Sequence, residues 1–407
     1  MRNRNQERSV LTTPAVGSAT DDLITPCGVR VPRSPLPPPP RGPAIAVALS
    51  GGGFRATLSG LGVLRFLADA GLLPQVRVSS SVSGGSVANG MFGCGYPQLA
   101  AADFQPDAFD HYVLRPLIWT VTRKSLSRSL VRQSWKTLGG TTRTDLLAGE
   151  FDRLLFGGQL LEELPTECRF VINAANTSTA ARFGFEAEAL GDYVIGEVPA
   201  VGTGLRLAQA VSASAAVPGL LAPVVLRGIT FPCQHGRTVR LVDGGTYDNS
   251  ALEPVDGAGE QLIVALNAGG LFVTGRYGRI PLIRDLTLAQ SLLYRQSTAL
   301  RRRAMVERFQ AREQAIRDGG KPPEWSRRGV LFGLATSLKQ VNPDWTAVNP
   351  RVPQPAEVAL VKTSFDRFPR TLASRLVHTG WWLTGATLAT YHRDVLPARL
   401  PVWRTLP

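Results

Sequence analysis

Residues Ala44 to Phe92 read AIAVALSGGGFRATLSGLGVLRFLADAGLLPQVRVSSSVSGGSVANGMF, and this stretch decides the fold. Ile45 to Leu49 is short, apolar and followed by glycine, as a fully buried strand is. Gly51, Gly52 and Gly53 let the chain turn sharply and leave its N–H groups uncovered by side chains. From Arg55 the pattern is helical, with Leu58, Leu61, Leu64 and Leu67 near one face and Gly71 as its stop. Free N–H groups and the helix dipole both favour negative charge at such a helix start. Val76 to Ser80 reads as a second strand, and Ser83-Gly84-Gly85-Ser86 leads into a second helix near Val87.

A serine between a strand and a helix, flanked by small residues, has the form of a nucleophile elbow. The usual G-x-S-x-G is Ser81-Val82-Ser83-Gly84-Gly85 here, with serine replacing the first glycine. Together the two motifs predict a nucleophile at Ser83, with Gly84 and Gly85 beside it facing substrate. They also predict an oxyanion hole from the amides of Gly51, Gly52, Gly53 and Phe54. Each motif alone also describes an ordinary glycine turn in a parallel-sheet protein. A triple glycine one βα unit before the serine favours catalysis.

Further along, Arg169 to Ala174 is a strand followed by the polar turn Asn176 to Thr179, and Leu205 to Ala216 is a small-residue helix before Pro218-Gly219. Thr238 to Val242 is a strand that ends at Asp243-Gly244-Gly245. An acid at a strand end faces the side of an α/β sheet where ligands bind, so Asp243 is the candidate base. Leu262 to Ala268 is another buried strand. A helix is expected from Asp285, as N-cap, to about Arg317. Gly319 to Pro353 reads as irregular, and Phe365 to Val395 as helical. Strands alternate with helices around one sheet, the α/β class.

These residues resemble the patatin-like phospholipases, and SGGGFRA is similar to the catalytic domain of cytosolic phospholipase A2. The likeness is carried by Gly51-Gly52-Gly53-Phe54-Arg55, by Ser83 within SVSGGS and by Asp243-Gly244-Gly245, with Tyr247-Asp248-Asn249 and Leu252-Glu253-Pro254 continuing it. It covers about Ala44 to Ala268 and weakens beyond. The resemblance implies a three-layer α/β/α fold with a mainly parallel central sheet. It implies a serine acyl hydrolase acting on lipid esters, in which Asp243 takes the proton of Ser83 without a histidine, and no metal or cofactor. By analogy Arg55 meets a substrate phosphate. The chain order Ser83, Asp243, then His378 or His392 also fits a histidine triad; His111 and His235 complete the histidines.

The chain has 407 residues and a formal charge of +14. Such a charge suits anionic partners. No zinc-finger spacing or RNA-binding signature accompanies it, so a membrane surface is preferred to nucleic acid. Lys124, Arg128, Arg132 and Lys136 recur every four residues, as one basic helical face does, while Leu126, Leu130, Val131 and Trp135 supply an apolar one. The expected organisation is a disordered proline-rich tail (1–43) and one catalytic domain (44–407). That domain contains a helical basic insert or lid (93–167) and a mainly helical end (285–407). Cys27, Cys94, Cys168 and Cys233 are far apart and suggest neither a disulfide framework nor a metal site, as in a reducing compartment. No apolar segment follows the basic N-terminus and none is long enough to span a bilayer. The expectation is a cytoplasmic enzyme working peripherally at a membrane. Alternatives are a non-catalytic lipid- or partner-binding protein, motivated by Ser81, and acyl transfer to an acceptor other than water. A dinucleotide site at Gly51, Gly53 and Ala56 is weaker, because the second strand ends in serines where a ribose-binding acid belongs.

Overall fold

The computed structural model describes residues 27–234, 238–257, 261–269, 281–336, 340–358 and 360–406. Strand β1 (Ile45–Leu49) leads into helix α1 (Gly53–Asp69), and β2 (Val76–Val82) into α2 (Gly84–Ala101). Further along come helices α3 (Arg115–Arg123), α4 (Leu126–Arg132) and α5 (Arg143–Phe151). Then come β3 (Arg169–Asn176), β4 (Ala181–Phe185), β5 (Ala189–Asp192), β6 (Gly196–Pro199) and helix α6 (Leu207–Ser214). Strands β7 (Val224–Val225) and β8 (Arg240–Asp243) precede the one-turn helix α7 (Gly245–Asp248). The chain closes with β9 (Leu262–Asn267), α8 (Pro281–Arg317), β10 (Arg328–Gly333) and α9 (Arg370–Tyr391).

The sheet runs β10-β9-β1-β2-β3-β4-β5-β6. Its first five strands are parallel; β4, β5 and β6 continue it antiparallel, and β8 joins β3 antiparallel. Every residue of β1 is buried, as a central parallel strand covered on both faces requires. With β2 on one side of β1 and β9 on the other, the connections diverge, which opens a crevice at the carboxyl end of β1.

Helix α1 is buried nearly all round, between the sheet and α9. The two helices touch backbone to backbone: a Cβ on Gly62 would lie 2.1 Å from the Val377 carbonyl oxygen, and one on Gly380 2.0 Å from that of Ser59. The C-terminal helix is therefore part of the core. Helices thus cover both faces of a mixed central sheet, in keeping with a patatin-like three-layer fold.

Several expectations need correction. Residues 1–26 of the expected tail lie outside the described residues, but 27–43 form a strap. Arg33 pairs with Glu186 at 2.8 Å and Glu197 at 2.8 Å, while Arg77 donates to the carbonyls of Pro37 at 2.6 Å and Pro38 at 2.8 Å. Extended prolines keep their carbonyls free, which suits them to this buried arginine. Cys27 is disulfide-bonded to Cys233, 206 residues away. Sequence spacing carries no trace of a pair so distant, and the bond runs against the expected reducing compartment. The four basic residues do not share one helix. Lys124 is extended between α3 and α4, where Ser125 caps α4, and Lys136 lies in a separate 3-10 turn. Helix α8 begins at Pro281, so Asp285 is inside it rather than its cap. Residues 328–333, in a stretch expected to be irregular, form β10. Among the described residues no helix is long and apolar enough to cross a membrane.

Candidate active site

Ser83 sits at the sharp turn between β2 and α2 with φ 53° and ψ −122°. A residue with a side chain is strained there by about 1–3 kcal/mol, and it persists only where its surroundings hold it. They do. The Ser83 amide donates to Ser214 Oγ at 2.8 Å, and Ser214 Oγ donates to the Asn173 carbonyl at 2.6 Å. The helix side of the turn has no room for a side chain: a Cβ on Gly84 would lie 2.0 Å from the Gly53 carbonyl oxygen, and one on Gly85 2.4 Å from that of Leu49. Thr57 Oγ1 donates to the Gly84 carbonyl at 2.7 Å, fastening the elbow to α1. The space where a side chain would stand at Gly84 and Gly85 is therefore filled by backbone, which is why both are glycine.

Ser81, the departure from the elbow pattern, is fully buried in β2. Its hydroxyl accepts from Asn89 Nδ2 at 2.9 Å and from Ser86 Oγ at 3.1 Å, and donates to the Val171 carbonyl at 3.2 Å. Here a hydroxyl replaces the hydrogen of a glycine without crowding, because the neighbours are polar and each makes a bond.

The sheet register brings the acid to the serine. Val82 pairs with Asn173, and the next residue of β3, Ala174, pairs with Asp243 at the end of β8. Ser83 and Asp243 are buried, each 6% exposed, and the serine side chain lies near enough to the carboxyl to favour its charged form. Asp243 Oδ1 also accepts the Gly245 amide at 2.7 Å. Burial raises the carboxyl from 3.8 to about 6, against the Gly245 amide and the Ser83 side chain, which favour the charged form.

The triple glycine borders this pair. Gly52 (φ 144°) and Gly53 (φ 57°) adopt backbone angles that only glycine takes readily. Among the described residues, their amides have no hydrogen-bond partner. The flanking amides differ from expectation: Gly51 N–H donates to the Asn249 carbonyl at 3.1 Å and Phe54 N–H to the Ser364 carbonyl at 2.9 Å. Both are engaged, which leaves Gly52 and Gly53 as the unbonded amides of this loop among the described residues.

Arg55 departs from its expected role. It is buried, and it donates from Nε to the Ala268 carbonyl at 3.0 Å, from one terminal nitrogen to Thr363 Oγ1 at 3.0 Å and from the other to the Val361 carbonyl. Burial lowers its affinity for a proton. Its guanidinium ties the loop after β9 to residues 361–363 and is not presented to a phosphate.

No described histidine reaches the pair through any bond or ring contact found in the fold. His378 stacks edge-on to Trp403 with centroids 4.8 Å apart, and burial lowers it to about 4. His392 Nε2 lies 3.2 Å from the Gly329 carbonyl oxygen, and His111 stacks on Tyr112. His235 lies outside the described residues.

Two further residues complete the site. Asn249 is buried between the loops of Gly51 and Gly245: its Oδ1 lies 2.2 Å from where a Gly51 Cβ would be and 3.0 Å from one on Gly245, while its Nδ2 has no hydrogen-bond partner among the described residues. Tyr294 of α8 covers the acid, its ring edge 3.1 Å from a Cβ on Gly245, and burial raises its phenol, with Asp243 adding to the rise. The likeness through Tyr247-Asp248-Asn249 was a signal for the first. Nothing in the sequence around Tyr294 singled it out.

The family model described as "Patatin-like phospholipase" matches residues 47–256. Comparison with curated proteins found no relative of significant similarity. Among solved structures the chain is similar to human GIVD cytosolic phospholipase A2, at 14% identity and TM-score 0.46, covering 87% of this chain and 63% of that one. The same human enzyme in complex with methyl gamma-linolenyl fluorophosphonate gives 15% identity and TM-score 0.47, covering 87% and 59%. VipD from Legionella pneumophila gives 13% and TM-score 0.33, covering 89% and 70%. The chain thus spans less than two thirds of the human enzyme it resembles. With the model matching residues 47–256 of 407, the chain belongs to the patatin-like phospholipase family.

Proposed function

We propose that this protein is a serine acyl hydrolase that cleaves fatty-acyl esters of lipids with a Ser83–Asp243 dyad. Family membership supports the lipid-hydrolase class. The observation that carries the finer reading is the strained Ser83, set by the sheet register beside a buried carboxyl and bordered by two glycine amides that are unengaged among the described residues. An unassisted serine hydroxyl is a weak nucleophile and needs a base. Ser83 Oγ attacks the ester carbonyl while its proton passes to Asp243. The carbonyl oxygen becomes an oxyanion facing the Gly52 and Gly53 amides, donors whose loss typically costs about a hundredfold or more. Asp243 returns the proton to the departing alcohol or lysolipid, leaving an acyl ester on Ser83. Water then gives a proton to Asp243 and attacks that ester, and Ser83 regains its proton as the fatty acid leaves. An anionic membrane surface, met through the basic α3–α4 region, is the proposed place of work.

The test is hydrolysis of a short-chain chromogenic ester and of phospholipid vesicles, with labelling by an active-site phosphonate. The parent protein is expected to turn over and be labelled. Ser83→Ala should lose both, Asp243→Asn should lose turnover, and His378→Ala should keep it. Activity surviving in Ser83→Ala refutes the nucleophile; loss in His378→Ala restores the triad.

A further inference from the structure

The basic segment has a form in the fold that sequence spacing did not give. Helix α4, the end of α3, part of α5 and residues 366–367 line a cleft of about 960 Å³. Its basic lining is Arg123, Lys124, Arg128, Arg132, Arg153 and Arg367, against the acids Glu150 and Asp366. Glu150 is already taken by Arg153 at 2.6 Å, and Asp366 accepts from Ser125 at 3.0 Å. Among the described residues, Arg123, Arg128, Arg132 and Arg367 make no ion pair. Beside them stand apolar side chains with no protein cover: Val131 is 74% exposed, Trp135 68% and Leu138 92%.

We propose that this face docks the protein on an anionic bilayer, with lipid phosphates entering the cleft and Val131, Trp135 and Leu138 entering the headgroup boundary. A free phosphate would be satisfied by the cations alone. Cations interleaved with exposed tryptophan and leucine match an interface that is charged outside and apolar beneath. The face also joins the candidate active site through one short segment. Residues 363–364 hold the catalytic loop through Phe54 N–H and Arg55. Residues 365–368 hold the basic helices, by Leu126 N–H to the Phe365 carbonyl at 3.1 Å and Phe368 N–H to the Val121 carbonyl at 3.0 Å. Docking here sets the crevice beside the bilayer that would supply its substrate. The proposal rests on the hydrolase reading for that consequence, and not for the docking itself.

The experiment is cosedimentation of the full chain with vesicles of pure phosphatidylcholine or of phosphatidylcholine containing one third phosphatidylglycerol. Strong preference for the anionic vesicles is expected, weakening as salt rises. Arg128→Gln with Arg132→Gln should weaken that binding roughly 25-fold, about fivefold for each charge near the surface. Its hydrolysis of the soluble ester should stay within about twofold. Trp135→Ala should weaken binding to both vesicle types. Equal binding to the two vesicle types, or anionic binding untouched by the double variant, overturns the proposal. Displacement by inorganic phosphate at matched ionic strength assigns the cleft to free phosphate and also overturns it. Ser83→Ala should bind like the parent, so vesicle binding without any ester hydrolysis would sink the hydrolase reading and leave the docking face standing.

Discussion

Replacing Asp243 with asparagine should make the protein more stable and less active, and the stability gain should depend on pH. Asp243 titrates near 6 in the fold and near 3.8 when exposed. At about 1.4 kcal/mol per pH unit, the difference is about 3 kcal/mol. Because the folded value is the higher one, the folded state is favoured at low pH, where the carboxyl is neutral. That advantage is lost as pH rises through about 6, when a charge must be held in a buried site. Asparagine keeps the shape and the bond from the Gly245 amide without the charge. Melting curves at pH 8 should therefore place Asp243→Asn above the parent by up to about 3 kcal/mol, roughly 3–4 °C for a chain of this length. At pH 4 the gap should close. The parent's kcat/KM should fall about tenfold per pH unit below a midpoint near 6, as a base that must be ionised requires. The variant should lose at least about a hundredfold in turnover on the soluble ester. A stability gap that is the same at both pH values, or an acid limb near 4, would refute the claim that burial governs this carboxyl.

Other outcomes follow from the same geometry. Ser81→Gly restores the usual elbow pattern but strips buried Asn89 and Ser86 of an acceptor; a loss of about 1–3 kcal/mol in denaturant melts is expected, with kcat no higher than the parent's. Gly84→Ala forces a methyl group against the Gly53 carbonyl and should abolish phosphonate labelling while costing about 3 kcal/mol or more. Reduction of Cys27–Cys233, or Cys233→Ser, releases a closure of 206 residues, which sets an upper bound of about 5 kcal/mol on the loss. Limited proteolysis should then cut first within 27–43, with ester hydrolysis little changed.

Strands β1 and β9 were legible because strands buried on both faces read as unbroken apolar runs, and glycine turns marked the ends of β2 and β8; β1 has the expected boundaries, and β2, β3, β8 and β9 agree within a few residues. Strands β4 to β7 were not, since β4 to β6 are short and broken by polar residues or glycine, and β7 has only two residues. The partners Ser83 and Asp243 were legible because glycine turns punctuate both strand ends. What the amides and the guanidinium do there was not, because that depends on who sits opposite. Phe54 N–H and Arg55 are answered by residues 361–364, more than 300 positions away, and no local pattern can announce such a partner. Asn249 meets the Gly51 loop and, with its Nδ2 3.3 Å from a Cβ on Gly269, the end of β9 only in the folded chain.

The segment 361–368 has a consequence for the timing of synthesis. The loop that would hold the oxyanion leaves the ribosome some 300 residues before the segment that backs it. Until residues beyond 364 emerge, Phe54 N–H lacks its acceptor, α1 lacks α9, and β1 must wait for β9 to cover its open edge. A half-made chain therefore carries the serine and the acid without the frame that aligns them. Under the proposed function, order of synthesis alone would hold the chain inactive until residues beyond 364 have emerged.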